Sequence, residues 1–451
     1  MRFDDIQSAM SKIDVRAAEA FNKADKLTIE AAVCNSAGGF EAVNGRIHDR
    51  MRDWLAQAAR ELLERRCETL GDAHPDTLTS MNNLAGLLRV QGKLSEAEPL
   101  YRDALRGLRE TLGNTHPDTL ASMSNLAELL MQQGKLSEAE PLYRDALRCR
   151  RETLGDAHTD TLTSMNNLAG LLQDQDRLSE AEPLYRDALR GFRATLGITH
   201  PDTLTFMSNL AVLLKKQGKL SEAEPLYRDV LRCRRETLSD AHPDTLASMS
   251  NLARLLRVQG KPSEAEPLYR DALRGLCETL GNTHPATLAS MSNLAGLLSD
   301  QGKLSEAEPL YRDALRGLRE TLGDAHPDTL TSMHSLARHL QEQGWLSEAE
   351  PLFREALLGR RAKLGDTHSD TLWSMYRLAE TLLPQNPCRS AEAVLLAREA
   401  VRGFEVENGA AHADTLNVLE TLAAALEADG QAEDAAAVRK RIASSKSEKP
   451  S

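Results

Sequence analysis

Along most of the chain, Leu, Ala, Met and Tyr recur every three or four positions, and most such runs stop at a Gly. From Pro75 the apolar positions are Leu78, Met81, Leu84, Ala85 and Leu88, ending before Gly92. This spacing puts them on one face of a helix of about 16 residues, with Pro75 at a first helical position where its missing N–H is harmless. Asp76 favours the positive end of that helix, and Gly92 supplies a left-handed stop. A second stripe follows in Ala97, Leu100, Tyr101, Ala104, Leu105, Leu108 and Leu112, closed by Gly113. Ser95 is expected to open this second helix as the N-cap of a capping box with Glu98, leaving Pro99 in the first turn where it costs little. No segment alternates with period two, so no strand is expected.

The helix pair is then copied in tandem. A His opens each copy at His74, His116, His158, His200, His242, His284, His326 and His368, each 42 residues after the last, and His412 follows after 44. Seven copies of Ser-Glu-Ala-Glu-Pro-Leu-Tyr/Phe-Arg, starting at Ser95, Ser137, Ser179, Ser221, Ser263, Ser305 and Ser347, sit between them. One pair alone cannot bury its apolar stripes, but stacked pairs can, with small Ala85, Ala97 and Ala104 where helices must approach closely. The expected architecture is an all-α superhelical solenoid of tandem antiparallel helix pairs. Its body spans 47–442, with a half repeat at 53–71, seven well-formed repeats over 75–368, and degenerate repeats at 369–412 and 413–442. Leu383-Pro384-Gln385-Asn386-Pro387 replaces the usual Gln-Gly-Lys turn. Residues 1–46 fall outside the period as an N-terminal extension of unknown role, helical to about Cys34 and broken at Ser36-Ala37-Gly38-Gly39, while 443–451 reads as a disordered polar tail.

Composition narrows the classes. With 55 Lys plus Arg against 67 Asp plus Glu, the chain carries a net charge of −12, which argues against a general nucleic-acid binder. Only 4% of residues are aromatic, fitting helix surfaces filled by Leu and Ala rather than one large core. Cys34, Cys67, Cys149, Cys233, Cys277 and Cys388 form no CxxC pair, so reduced thiols are expected. With neither a membrane-spanning run nor a signal-peptide pattern, a soluble, cytoplasmic chain is expected.

The run Asn83-Leu84-Ala85 through Gln91-Gly92-Lys93, Glu96-Ala97-Glu98-Pro99-Leu100-Tyr101-Arg102, Arg109-Glu110-Thr111-Leu112-Gly113 and His116-Pro117-Asp118-Thr119 resembles the tetratricopeptide repeat (TPR), in the 42-residue version found in kinesin light chains. The resemblance covers roughly residues 53 to 442. It implies a right-handed superhelix whose first helices line a concave groove. Asn83, Asn125, Asn167, Asn209, Asn251 and Asn293 then match groove asparagines that hydrogen-bond a peptide backbone, since an amide donates and accepts at once. The ladder stops at Ser335 and Arg377. The same amides could instead tie neighbouring helices together.

Positions that differ between copies bear on specificity. Arg89, Lys215, Lys216, Arg254 and Arg257 are the groove cations, and the last four form a basic patch that could receive an acidic peptide. Solvated helix ends, where cations suit the negative terminus, are the plainer reading. The positions at which chaperone-binding arrays clamp a carboxylate with Lys are Thr79, Ala121, Thr163, Thr205, Ala247 and Ala289 here, so no such clamp is expected.

The regular histidines lie about one helix-packing distance apart, ~8 to 10 Å, too far to share a metal ion, and are read as loop-packing or capping residues. His334 and His339 are local variations on a helix. Gly86 to Lys93 lacks the spacing and the Ser or Thr of a phosphate loop, and no GxSxG or HExxH occurs. No catalytic residue, metal or cofactor is expected. The predicted function is a non-enzymatic adaptor or scaffold that holds a protein or peptide, acidic by the patch, in kinesin light chain-like cargo recognition within a motor or signalling complex. A regulatory array acting with a separate signalling NTPase, and a scaffold using its outer surface, are the alternatives; neither nucleic acid nor membrane insertion is expected.

Overall fold

A computed structural model describes residues 39–383 and 389–447. Among the described residues the chain is entirely helical, and its helices fall in two compact units, Met1–Gln259 and Gly260–Ser451. The first unit holds α1 (Gly39–Leu70), α2 (Pro75–Val90), α3 (Leu94–Leu112), α4 (Pro117–Gln132), α5 (Leu136–Leu154), α6 (Thr159–Asp174), α7 (Leu178–Leu196), α8 (Pro201–Lys216), α9 (Leu220–Leu238) and α10 (Pro243–Val258). The second holds α11 (Pro262–Leu280), α12 (Pro285–Asp300), α13 (Leu304–Leu322), α14 (Pro327–Glu342), α15 (Leu346–Leu364), α16 (Ser369–Leu382), α17 (Ser390–Asn408), α18 (Ala413–Ala428) and α19 (Ala432–Ser447). Within each unit, helices adjacent in sequence pack on one another, which is the tandem-pair solenoid expected from the period.

Each first helix begins at its histidine. His74 is extended (φ −70°, ψ 135°), and its Nδ1 accepts a hydrogen bond from the Asp76 N–H at 3.2 Å. This satisfies one of the orphan N–H groups of the first turn, a task usually given to Ser or Asp. The same bond recurs at the other eight repeat histidines, from His116 to His412, at 3.1 to 3.3 Å. The first helix ends at Gln91, where Gly92 takes φ 75° and the Lys93 N–H reaches back to the Leu88 carbonyl at 2.9 Å.

That closure starts the second helix earlier than the capping box predicts. Lys93, not Ser95, is the cap residue, its side chain makes no capping bond, and its carbonyl accepts from the N–H groups of Glu96 and Ala97. The Glu98 carboxylate accepts instead from Arg102 Nε at 2.9 Å and from Lys135 Nζ of the next copy at 2.7 Å. Two charged donors outcompete a single backbone N–H. Pro99 consequently lies beyond the first turn of α3, where it removes the N–H that would bond the Ser95 carbonyl.

Ala85, Ala97 and Ala104 are fully buried where helices meet, and Tyr101, Leu105 and Leu108 fill the space between. Gly107 is required by that contact, since a Cβ there would stand 2.5 Å from Leu78 Cδ2.

Two boundaries differ from expectation. Helix α1 runs through the border placed between 46 and 47, as far as the Gly71 stop. At the other end, α19 carries the expected disordered tail on as helix to Ser447, held by buried Ala435 and Ile442. The expected helical stretch to Cys34, the break at Ser36-Ala37-Gly38, the turn Pro384–Pro387, and residues 448–451 lie outside the described residues.

Candidate functional site

Within each unit, successive first helices approach one another more closely than successive second helices do: α2 meets α4 and α6 meets α8, and likewise α12, α14, α16 and α18 in turn. The first helices therefore share an inner face. In α2 the buried residues are Thr77, Leu78, Ser80, Leu84, Ala85, Leu87 and Leu88, which leaves Thr79, Asn83, Gly86, Arg89 and Val90 to form it.

Asparagines at the repeat position differ in what they do. Asn83 is exposed, and Asn125, Asn167, Asn209, Asn251 and Asn293 are half-buried. Asn209 Nδ2 donates to Asn166 Oδ1 of the preceding first helix at 3.0 Å, and Asn251 Oδ1 accepts from Arg254 at 3.2 Å. Those two amides are thus engaged within the protein. Asn83, Asn125, Asn167 and Asn293 make no side-chain hydrogen bond among the described residues, leaving both their donors and acceptors open.

The expected groove cations also divide. Arg89 Nη1 pairs with Glu128 Oε1 of the next first helix at 2.6 Å, so its charge is already neutralised. Lys216 Nζ donates to the Gln173 carbonyl at 3.3 Å and lies near Asp174, whose carboxyl is pushed up by burial and held back by that lysine. Lys215 makes no hydrogen bond or ion pair among the described residues, and burial together with the neighbouring Arg254 guanidinium pushes its ammonium pKa down. Arg257 is engaged within the protein. Beneath the face lie the tyrosine hydroxyls of the second helices; a Cβ at Gly86 would meet the Tyr101 hydroxyl at 3.3 Å. Sequence reading passed these over as core residues.

The other singled-out positions take structural work. The repeat histidines cap their own helices, as above, and among the described residues no three His, Cys, Asp or Glu side chains are grouped to hold a metal ion. His339 is buried, its Nδ1 at 2.7 Å from Ser299 Oγ and its Nε2 at 2.6 Å from Gln343 Nε2, while burial pushes the His334 imidazole down to about 3. Thr79, Thr163 and Thr205 donate to backbone carbonyls of their own first turns. Cys67, Cys149, Cys233 and Cys277 are free thiols. No helix among the described residues is long and apolar enough to cross a membrane.

On the outer side, cavities open between second helices: one of about 710 Å³ beside Leu147 and Leu184, and one of about 1040 Å³ beside Leu358 and Val406.

A tetratricopeptide repeat family model matches residues 56–110, 76–152, 118–194, 160–236, 202–278, 286–357 and 328–405, and a second matches 250–320. A comparison with curated proteins finds no match. Among solved structures, the nearly identical TPR-like repeats of a candidate kinesin light chain from Podosopora anserina are 28% identical over 46% of this chain and 99% of theirs, with a TM-score of 0.41. The apo quorum sensor NprR from B. thuringiensis is 13% identical over 82% of this chain and 99% of its own, with a TM-score of 0.53. A Rap protein complexed with Competence and Sporulation Factor is 14% identical over 83% of this chain and 98% of its own, with a TM-score of 0.50. The last two share the helical-repeat fold.

Proposed function

From the premise that this chain belongs to the tetratricopeptide repeat family, we propose that it is a non-enzymatic adaptor that holds an extended peptide along the face shared by its first helices. One observation carries the reading: Asn83, Asn125 and Asn167 stand one repeat apart on that face with no hydrogen-bond partner among the described residues. Unpaired amides on a rigid scaffold suit an extended backbone, because each can accept from its N–H and donate to its C=O. Lys215 and Arg254 favour an acidic ligand, in the manner of kinesin light chain-like cargo recognition. The free thiols fit a reducing compartment such as the cytoplasm.

A peptide-library screen of the full chain tests this, run beside the triple variant Asn83→Ala, Asn125→Ala, Asn167→Ala. Asn209 and Asn251 are left intact because they are engaged within the protein. Retained helical content with at least about tenfold weaker peptide binding, about 1.4 kcal/mol, is the expected outcome. Equal binding by both proteins would overturn it.

The second unit favours a separate reading, docking on the outer surface. Leu358 and Val406 are 68% and 90% exposed beside the larger cavity. The six earlier positions equivalent to Leu358 are all arginines, from Arg106 to Arg316. Leu358→Arg and Val406→Glu would weaken a partner held there and leave peptide binding in the first unit intact.

A further inference from the structure

Arg89 and Glu128 form an ion pair across neighbouring first helices, with the Tyr101 hydroxyl close enough to feel both charges. Three repeats further on, in the same unit, the equivalent residues are Lys215, Arg254 and Tyr227. The acid of the first site is replaced by a base, so two cations now face each other where a neutral pair stood. Among the described residues Lys215 is half-buried without a partner, Arg254 donates only to the neutral Asn251 amide at 3.2 Å, and the Tyr227 hydroxyl, in a residue 2% exposed, has no hydrogen-bond partner.

The plain structural account does not cover this arrangement. A cation in the last turn of a helix is favoured by the helix dipole, which explains Lys215 at the end of α8. It gives no reason for a second cation on the adjacent helix at the point where another copy places a carboxylate. Like charges at close range cost stability, and an unpaired buried hydroxyl costs about 1 to 3 kcal/mol. Both costs disappear if an anion occupies the site.

We propose that Lys215, Arg254 and Tyr227 form a subsite for a dianionic phosphomonoester, a phosphorylated Ser or Thr side chain of the bound peptide. Charge counting selects the class. Arg89 with Glu128 sums to zero, whereas Lys215 with Arg254 leaves two positive charges, which one carboxylate would only half neutralise. A phosphomonoester carries about −1.5 to −2 at pH 7 and presents three acceptor oxygens, one each for the ammonium, the guanidinium and the phenol. The inference rests on the groove reading above and adds to it the chemistry of one ligand side chain.

The test uses the full chain with degenerate peptides carrying a central Ser, Glu or phosphoserine, against wild type and the variant Lys215→Met, Arg254→Met. Both substituted residues lie on the partly open face, and circular dichroism checks that the variant stays helical. Phosphoserine peptides are expected to bind at least about tenfold tighter than Glu peptides, with that preference lost in the variant. Inorganic phosphate in the millimolar range should compete with the phosphoserine set and not with residual binding to the variant. Equal binding of Glu and phosphoserine peptides, both dependent on the two cations, would overturn the phosphate assignment and leave the groove reading standing. A phosphoserine preference that survives in the variant would place the phosphate elsewhere and sink the subsite. Binding of no peptide set to wild type would sink both the subsite and the groove reading.

Discussion

Lys135 Nζ lies 2.7 Å from Glu98 Oε2 of the preceding helix pair, and the Arg102 guanidinium holds the other oxygen of the same carboxylate. The Lys135 bond is the chief reason the Glu98 carboxyl is lowered to about 2. The latch recurs as Glu140–Arg177, Glu182–Lys219 and, in the second unit, Glu266–Lys303. Solenoid stability is a sum of such nearest-neighbour contacts, so one latch acts on one joint. Lys135→Met should cost about 1 kcal/mol and speed amide exchange in α3 and α5 while leaving α8 and α9 unchanged.

The pH dependence follows from the same carboxylates. Glu98, Glu182 and Glu266 are lowered from 4.5 to about 2, chiefly by Lys135, Lys219 and Lys303. A group depressed in the folded state contributes stability that is fully present above its unfolded value and lost as pH falls through the folded value. Stability should therefore drop between about pH 4.5 and pH 2, and the chain with Lys135→Met and Lys219→Met should show a shallower loss over that window. An identical acid profile for the variant would show that other groups control acid unfolding.

Ser239 sits at φ 82° and ψ 164°, a conformation that the other second helices of the regular copies give to glycine, such as Gly113 and Gly155. L residues rarely enter that region, and the strain there is on the order of 1 to 3 kcal/mol. Ser239→Gly should raise the unfolding midpoint of the first unit by an amount corresponding to about 1 kcal/mol, part of the strain relief being offset by the larger unfolded-state entropy of glycine. Thermal melts of the two chains side by side check it.

The sequence made helix type and register legible because both rest on local signals: three-to-four spacing, the His before each first helix, the Gly after it. It misplaced the second-helix start because Ser95-x-x-Glu98 is a capping box only if Glu98 is free to turn back, and its competitor Lys135 lies 37 residues away. The groove cations divide for a related reason. Arg89 and Lys215 occupy equivalent positions, and only the residue 39 further on, Glu128 or Arg254, decides whether the charge is spent. Pairing across the stack is set by the repeat length minus about one helical turn, a distance that no local pattern displays.

The amides of one ladder should separate by experiment into structural and open positions. Asn209→Ala leaves Asn166 Oδ1 without its 3.0 Å donor between half-buried residues, and should cost about 1 kcal/mol of local stability at α6 and α8. Asn125→Ala removes an amide with no partner among the described residues and should change stability by less than about 0.5 kcal/mol. Hydrogen exchange on the two variants distinguishes them; equal losses would mean that Asn125 also serves the stack.

Lys215 and Arg254 offer the sharpest contrast, because the repair and the function oppose each other. Arg254→Glu would recreate at this joint the opposite-charge pair that Arg89 and Glu128 make at 2.6 Å. The Lys215 ammonium, now pushed down by burial and then by Arg254, would regain a partner and rise toward its ordinary range. The joint between α8 and α10 should then be more stable by about 0.5 to 1 kcal/mol, seen as slower amide exchange in both helices, while binding of anionic peptides is lost. A site kept for stacking alone would gain stability from the substitution and lose nothing. A site kept for an anionic ligand pays in apo stability for a charge that the ligand returns, so measuring exchange and binding on the same variant tells the two apart.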